Sequence, residues 1–258
     1  MMPPMQQSES LVNALGHGIV DKRIDILRQI GQGGSISQAA RAVGVSYKAA
    51  WQALDTLTNL AGVTLVERVV GGAGGGGARL TPAAEQLLAA ADAVRQARVS
   101  ALAQLEGGGA DLAVARLSLR TSMRNQWPCI VQDMRSCGQI VRVHLCGVGP
   151  AAAGLAVTAR ITLESAELLG LHAGVPVQAL CKATAVHVLA ATKAPVPAGG
   201  NQWPGRASRV SRGELGDEVA VQLDAGVQMV GFAAPDSGLR ARSRVVLVID
   251  ESAVVLAV

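Results

Sequence analysis

The turn Thr121-Ser122-Met123-Arg124-Asn125-Gln126 sets two hydroxyls and a guanidinium beside backbone N–H groups. Two further hydroxyls, Thr162 and Ser165, stand at i, i+3, and Lys182 precedes a strand-like segment. Donors and cations without a carboxylate are what a small tetrahedral dianion requires, because its charge must be balanced and each oxygen given a hydrogen bond. A divalent cation needs the reverse composition, so no protein-bound metal is expected. The cysteines agree. Cys129, Cys137, Cys146 and Cys181 form no C-x-x-C pair and have no His at zinc-finger spacing, which reads them as reduced, buried small hydrophobes. His144, His172 and His187 are scattered and receive no ligand role. No Ser-His-Asp set, activated Cys-His pair or paired carboxylates can be assembled, so the chain is read as not an enzyme. The alternative for Ser122, Arg124 and Lys182, from composition alone, is solvated surface residues at strand ends.

A second constellation runs from Gly34 to Leu54. Ala39 and Ala40 are small enough for a second helix to cross closely, Gly44 supplies a tight turn, and Val45 plugs the gap between helices. Ser35 or Ser37 caps the first helix and Ser46 the second. The second then presents Ser46, Tyr47, Lys48 and Gln52 on its free side, where hydroxyl, ammonium and amide groups reach phosphates and base edges in a major groove. Trp51 and Leu54 are assigned to the core. An ordinary helical hairpin in an all-α domain is the alternative; the hairpin and long helix that follow argue against it. Thr64 to Leu80 reads as a wing carrying Arg68 and Arg79 toward the DNA backbone or minor groove, with Gly71 to Gly77 as its tip. Those glycines are no phosphate-binding loop, because no Lys-Ser or Lys-Thr follows and strand-like segments flank them.

The elements that must position these groups follow from composition and pattern. With 258 residues, 50% hydrophobic and 16% charged, the chain can form one large domain or two to three small ones, and disorder is excluded. Aromatics at 2% exclude a base-stacking surface of the single-strand-binding kind. The net charge of +4 is spread over both halves and decides nothing alone. Met1 to Leu15 is polar, and no stretch approaches ~20 uninterrupted apolar residues, so a soluble, cytoplasmic protein without membrane contact is expected. Ile26, Leu27 and Ile30 share one helix face that Gly31 ends. Thr81-Pro82 opens a long helix through Leu87, Leu88, Val94 and Leu102, too long to pack only on its own small domain; dimerisation is its expected use, presenting two recognition helices to a palindromic operator. Gly107-Gly108-Gly109 reads as a linker.

Beyond it the sequence repeats. Asn125-Gln126-Trp127-Pro128 recurs as Asn201-Gln202-Trp203-Pro204; Ile140 to Leu145 is matched with Glu218 to Leu223, and Ala185 to Leu189 with Ala253 to Leu256. Three matches in one order indicate tandem duplication of a β-rich unit, joined through the Pro- and Gly-rich stretch Ala194 to Gly200. Where the first copy has Arg124 and Lys182, the second has Gly200 and Asp250-Glu251, which would repel an anion.

Taken together, Ser35-Ile36-Ser37-Gln38-Ala39-Ala40, Ser46-Tyr47-Lys48-Ala49-Ala50-Trp51, Leu65-Val66-Glu67-Arg68 before the glycine tract, and Thr121-Ser122-Met123-Arg124-Asn125-Gln126-Trp127 resemble the ModE family of molybdate-responsive transcription regulators over nearly the whole chain. The resemblance implies an α+β multidomain fold: a winged helix-turn-helix with a long dimerisation helix over 1–110, and two tandem OB-like β-barrel (Mop, or TOBE) domains over 117–193 and 199–258. It implies a homodimer that binds double-stranded operator DNA in response to molybdate, or tungstate, and represses molybdate-uptake genes. Ser122 and Arg124, with the backbone of Met123, would hold the oxyanion, and Thr162, Ser165, Lys182 and Ala183 would complete the pocket from the partner chain or facing barrel. Met123 stands where the family commonly has Ala, and Cys129 where the second copy keeps Gly205. No pterin is implied, since almost no aromatic residue is available to stack on one. A molybdate store or carrier with a vestigial DNA-binding head is the alternative, against which Lys48, Arg68 and Arg79 argue.

Overall fold

The computed structural model describes residues 22–69, 77–104, 121–149, 152, 154–191 and 200–258. Contacts divide the chain into two compact units, Met1–Leu119 with Leu163–Leu171, and Arg120–Thr162 with His172–Val258.

In the first unit, α1 (Lys22–Gly33) buries Ile26, Leu27 and Ile30. It runs past Gly31, where the sequence suggested a stop. A Cβ at Gly31 would stand 2.7 Å from Leu80 Cδ1, so this glycine admits a side chain from the neighbouring hairpin instead of ending the helix. Helix α2 (Ile36–Val43) is capped by Ser35, whose side chain accepts from the Gln38 N–H, and it stops at Gly44 with φ 70°. That left-handed conformation costs an L side chain about 1 kcal/mol or more. Helix α3 (Tyr47–Ala61) begins at its cap Ser46, which accepts from the Ala49 N–H at 3.1 Å. Ala39, Ala40, Ala50 and Ala53 are all buried in the core these helices share, where larger residues would hold the axes apart. Strands β1 (Val66–Val69) and β2 (Gly77–Leu80) pair antiparallel with Glu67 opposite Arg79. Thr81 then caps α4 (Pro82–Gln104), accepting from the Ala84 N–H while its hydroxyl donates to the Thr64 carbonyl. Arg28 ties α4 to α1 by bonding Asp25 at 2.7 Å and Asp92 at 2.8 Å. Val94 on α4 is 69% exposed. The wing tip, the Gly107–Gly109 linker and the Leu102 side chain lie outside the described residues.

The second unit contains both repeats. Strands β3 (Asn125–Cys137), β4 (Ile140–Gly147), β5 (Ala156–Thr162), β6 (Pro176–Cys181) and β7 (His187–Ala190) come from the first copy. The second supplies β8 (Asn201–Ser211), β9 (Asp217–Leu223), β10 (Gln228–Ala233), β11 (Arg244–Ile249) and β12 (Val255–Ala257). Between β5 and β6, α5 (Leu163–Leu168) belongs by its contacts to the first unit. The last strands change places: β7 enters a closed barrel of order β10-β7-β11-β8-β9, and β12 joins the five-stranded sheet β12-β6-β3-β4-β5. Each sheet is therefore completed by the other repeat, and the boundary drawn between the repeats in sequence does not separate the sheets. One parallel bridge, Phe232 to His187, closes the barrel. Both copies bulge at the same place, between Val131 and Asp133 and between Ala207 and Arg209.

This register corrects one sequence match. Cys129 pairs Gly147 and its repeat equivalent Gly205 pairs Leu223, so Arg142 takes the place of Glu218, two residues away from the pairing suggested by hydrophobic alternation. A two-residue slip preserves which side chains face inward, which is why the pattern could not detect it.

Candidate functional site

The repeated Asn-Gln-Trp-Pro segments are the joints between the two copies. Asn125 is buried and pairs both ways with β10: its amide donates to the Val230 carbonyl at 2.8 Å and its oxygen accepts from the Val230 N–H at 2.8 Å. Asn201 does the same to Thr158 on β5, donating at 2.8 Å and accepting at 2.6 Å. The indole N–H of Trp203 donates to the Ala156 carbonyl at 2.8 Å and that of Trp127 to Gln228 at 3.5 Å, while the two rings lie 6.1 Å apart. The motif recurs because each copy must satisfy a backbone edge of the other.

These joints fix the loop ahead of β3. Gln126 donates to the Met123 carbonyl at 2.8 Å, and the Met123 N–H donates to the Thr121 hydroxyl at 3.1 Å, which shapes a compact turn with Ser122 and Arg124 exposed. Asn125 pairs with Cys181, so Arg124 and Lys182 leave neighbouring strands at the same level. Lys182 is exposed, and buried Ala183 opens a 3-10 turn, Ala183–Ala185, that packs against β10. The structure thus gathers Ser122, Met123, Arg124, Lys182 and Ala183. Thr162 ends β5, the strand against which the second copy's turn, Glu251–Ala253, is packed, and Ser165 lies on α5 in the first unit. Within one chain, Thr162 is thus grouped with the opposite turn.

Sequence reading missed the charges that face these loops. Arg124 bonds Glu218 on β9 at 2.5 Å, and Arg209 reaches the same carboxylate at 3.4 Å. At the corresponding place in the other repeat, Arg142 bonds Glu251 through Nε at 2.8 Å and through a second guanidinium nitrogen, and Arg160 bonds Asp250 at 3.0 Å. The Arg142 guanidinium holds the Glu251 carboxyl below its ordinary range, and a hydrogen bond from the Ser252 hydroxyl does the same for Asp250. Their signal in the sequence was Asp250-Glu251 itself, whose partners became visible only through the register. Cys129 and Cys181 are buried, and desolvation pushes their thiols up to about 12 and about 11; Cys137 is exposed and Cys146 half-buried, contrary to the expectation for all four. Among the described residues, no group of three or more His, Cys, Asp or Glu is placed to hold a metal ion.

In the first unit, Ser46, Tyr47, Lys48 and Gln52 are all exposed along α3, while Leu54 is buried and Trp51 is half-buried with Tyr47 edge-on to its ring. Ser37 is exposed on α2 and Ser35 serves as its cap. The Ser46 N–H donates to the Glu167 carboxylate at 2.9 Å, and Lys48 Nζ lies 2.5 Å from Glu164. On the wing, Arg79 bonds Glu67 at 3.1 Å, with both side chains largely exposed; the Arg68 side chain lies outside the described residues. No helix among the described residues is long and apolar enough to cross a membrane.

A helix-turn-helix with a wing, followed by a strand-exchanged tandem of β-domains carrying a cationic loop, defines a ligand-responsive DNA-binding regulator. Residues 22–85 match the model of the bacterial regulatory helix-turn-helix protein, lysR family, and residues 121–188 match the TOBE domain. Transcriptional regulator ModE of Yersinia pestis is 37% identical over 215 residues, 81% of this chain and 80% of the relative. Molybdenum transport protein ModE of Azotobacter vinelandii is 36% identical over 240 residues, 88% and 86% of the two chains. The DNA-binding transcriptional dual regulator ModE of Escherichia coli K12 is 37% identical, with 80% and 79% covered. The chain belongs to the ModE family of molybdate-responsive transcriptional regulators. These relatives are regulators and transport proteins by name. Among solved structures, the cytoplasmic molybdate-binding protein ModG, with molybdate bound, matches 54% of this chain and 99% of its own, with TM-score 0.50 and 26% identity.

Proposed function

We propose that the chain is a cytoplasmic, molybdate-sensing transcription factor that acts as a homodimer. It binds operator DNA through α3 and the wing, with Ser35, Ser37, Ser46, Tyr47, Lys48, Gln52, Arg68 and Arg79 as contacts, and represses molybdate-uptake genes. The observation that carries this reading is the presence, in one chain, of a helix-turn-helix with its polar face exposed and a cationic loop on a β-tandem similar to molybdate-bound ModG.

Ser122, the Met123 backbone, Arg124, Lys182 and Ala183 form the half-site gathered in one chain; Thr162 and Ser165 supply the rest from a second chain. Molybdate would then be shared between chains and favour one arrangement of the dimer, raising operator affinity by as much as it prefers that arrangement. Arg124 supplies a planar pair of donors and Lys182 a point charge, together compensating a dianion.

Operator affinity measured by anisotropy with and without saturating molybdate tests the linkage, and unchanged affinity defeats it. Calorimetric titration with molybdate, tungstate and sulfate identifies the anion. Arg124→Ala and Lys182→Glu are each expected to weaken molybdate binding at least tenfold, and a Lys182→Glu variant with full affinity would remove Lys182 from the pocket. A storage protein would bind molybdate equally well but leave operator DNA unshifted.

A further inference from the structure

Two loops occupy equivalent places in the tandem. Asn125 pairs Cys181 and Asn201 pairs Ile249, so Lys182-Ala183 and Asp250-Glu251 are the same positions of the two repeats. Around the first loop, among the described residues, Arg124, Lys182 and Arg209 stand against the single carboxylate Glu218, leaving two of these positive charges uncompensated. Around the second, among the described residues, Arg142 and Arg160 are each bonded to a carboxylate, Glu251 and Asp250, with Arg135 opposite Arg142 on β3.

The second set has the donors an oxyanion would need. Arg142 and Arg160 are register partners on β4 and β5, and like charges directly opposite across an antiparallel pair repel unless anions lie against them. Those anions are the protein's own. Glu251 is buried and takes two guanidinium nitrogens of Arg142, the fork geometry with which arginine also grips an oxyanion. Asp250 takes Arg160 and is itself fixed by the Ser252 N–H at 2.8 Å and the Ser252 hydroxyl.

We propose that Arg142 and Arg160 form a second oxyanion site, kept shut by Asp250 and Glu251, and that these two carboxylates restrict the protein to one oxyanion per chain. The proposal rests on the functional reading in that it takes the first loop as the working site. Its chemistry is local: the two carboxylates occupy the guanidinium donors of Arg142 and Arg160 and repel a tetrahedral dianion, which is attracted when both are neutralised without change of shape.

The full-length protein is titrated calorimetrically with molybdate, beside the isosteric double variant Asp250→Asn/Glu251→Gln. The unmodified chain is expected to bind one anion and the variant two, the second more weakly; adding Arg142→Gln to the variant removes the second anion and leaves the first. Two anions per unmodified chain overturn the proposal, as does a variant that keeps its circular dichroism and melting transition yet still binds one. Should the double variant fail to fold, Asp250→Lys, which places the first repeat's cation at the second loop and leaves the Arg142–Glu251 pair intact, decides by the same count. An unmodified chain that binds no molybdate defeats the functional reading instead. In that case, a single anion gained by the double variant supports the shut site and no gain overturns it.

Discussion

Asn125 and Asn201 show how a residue with no charge governs a charged site. Each buried amide completes both the N–H and the carbonyl of one residue on the opposing repeat. Asn125→Ala leaves both Val230 groups unpaired, at a cost of about 1–3 kcal/mol each if water does not replace the amide. A loss of roughly 2–6 kcal/mol in the denaturant unfolding of the tandem, with molybdate affinity falling as the Arg124 loop loosens, is therefore expected. A loss below about 0.5 kcal/mol would mean that the pairing is dispensable. The acidic residues add a pH dependence. Asp217, buried beside the Ser237 hydroxyl and Arg212, and Glu251, bonded by Arg142, both have carboxyls held below their ordinary range. Such groups contribute stability fully above their unfolded value, near pH 4, and lose it as pH falls through the lower folded value. Stability should thus be level from pH 7 to about 5 and decline below about 4, and Asp217→Asn should flatten that decline. The cationic loop was legible from residue types because donors without carboxylates are rare company. The carboxylates facing it were not, since Glu218 and Arg124 stand 94 positions apart and meet only through the fold.

Among the elements, the recognition helix was the most legible. Cap, turn glycine and alanine crossing are all local signals, and each sits where the sequence suggested. The bound of α1 was not local: Gly31 reads as a stop until Leu80 is seen to need its missing side chain. Helix α5 could not be anticipated either. Its Glu164 and Glu167 lie against Lys48 and the Ser46 N–H, groups offered to phosphate. Helix N-terminal N–H groups and a lysine attract whichever anion is available, and a duplex phosphate must displace these carboxylates to use them. Glu164→Gln with Glu167→Gln should accordingly tighten operator and non-operator DNA alike, about three- to tenfold at low salt. The measurement is anisotropy across a salt series. Unaltered affinity at every salt concentration would show that the two carboxylates do not compete with DNA.

For the molecule as a whole, the duplication was visible and its consequence was not. Repeats in a sequence suggest two units that fold side by side, yet β7 and β12 complete each other's sheets. Nothing in a strand's alternation names the sheet it joins, because the pattern records which face is buried and not the partner. The exchange ties the stability of one repeat to the last residues of the other. Val254 and Leu256 are buried, and Val255 to Ala257 pair with Leu180 to Gln178 along β6, the strand that delivers Lys182. A chain ending at Ala253 would bare that edge and lose the burial of Val254 and Leu256, worth roughly 1.5–3 kcal/mol each. If the exchange governs assembly, the full tandem unfolds in a single calorimetric transition, and the shortened chain loses stability in both repeats at once. It should also lose molybdate binding, although every proposed ligand remains. Two separate transitions in the intact protein, or a shortened chain whose second repeat melts unchanged, would mean that the repeats are thermodynamically independent despite the exchanged strands.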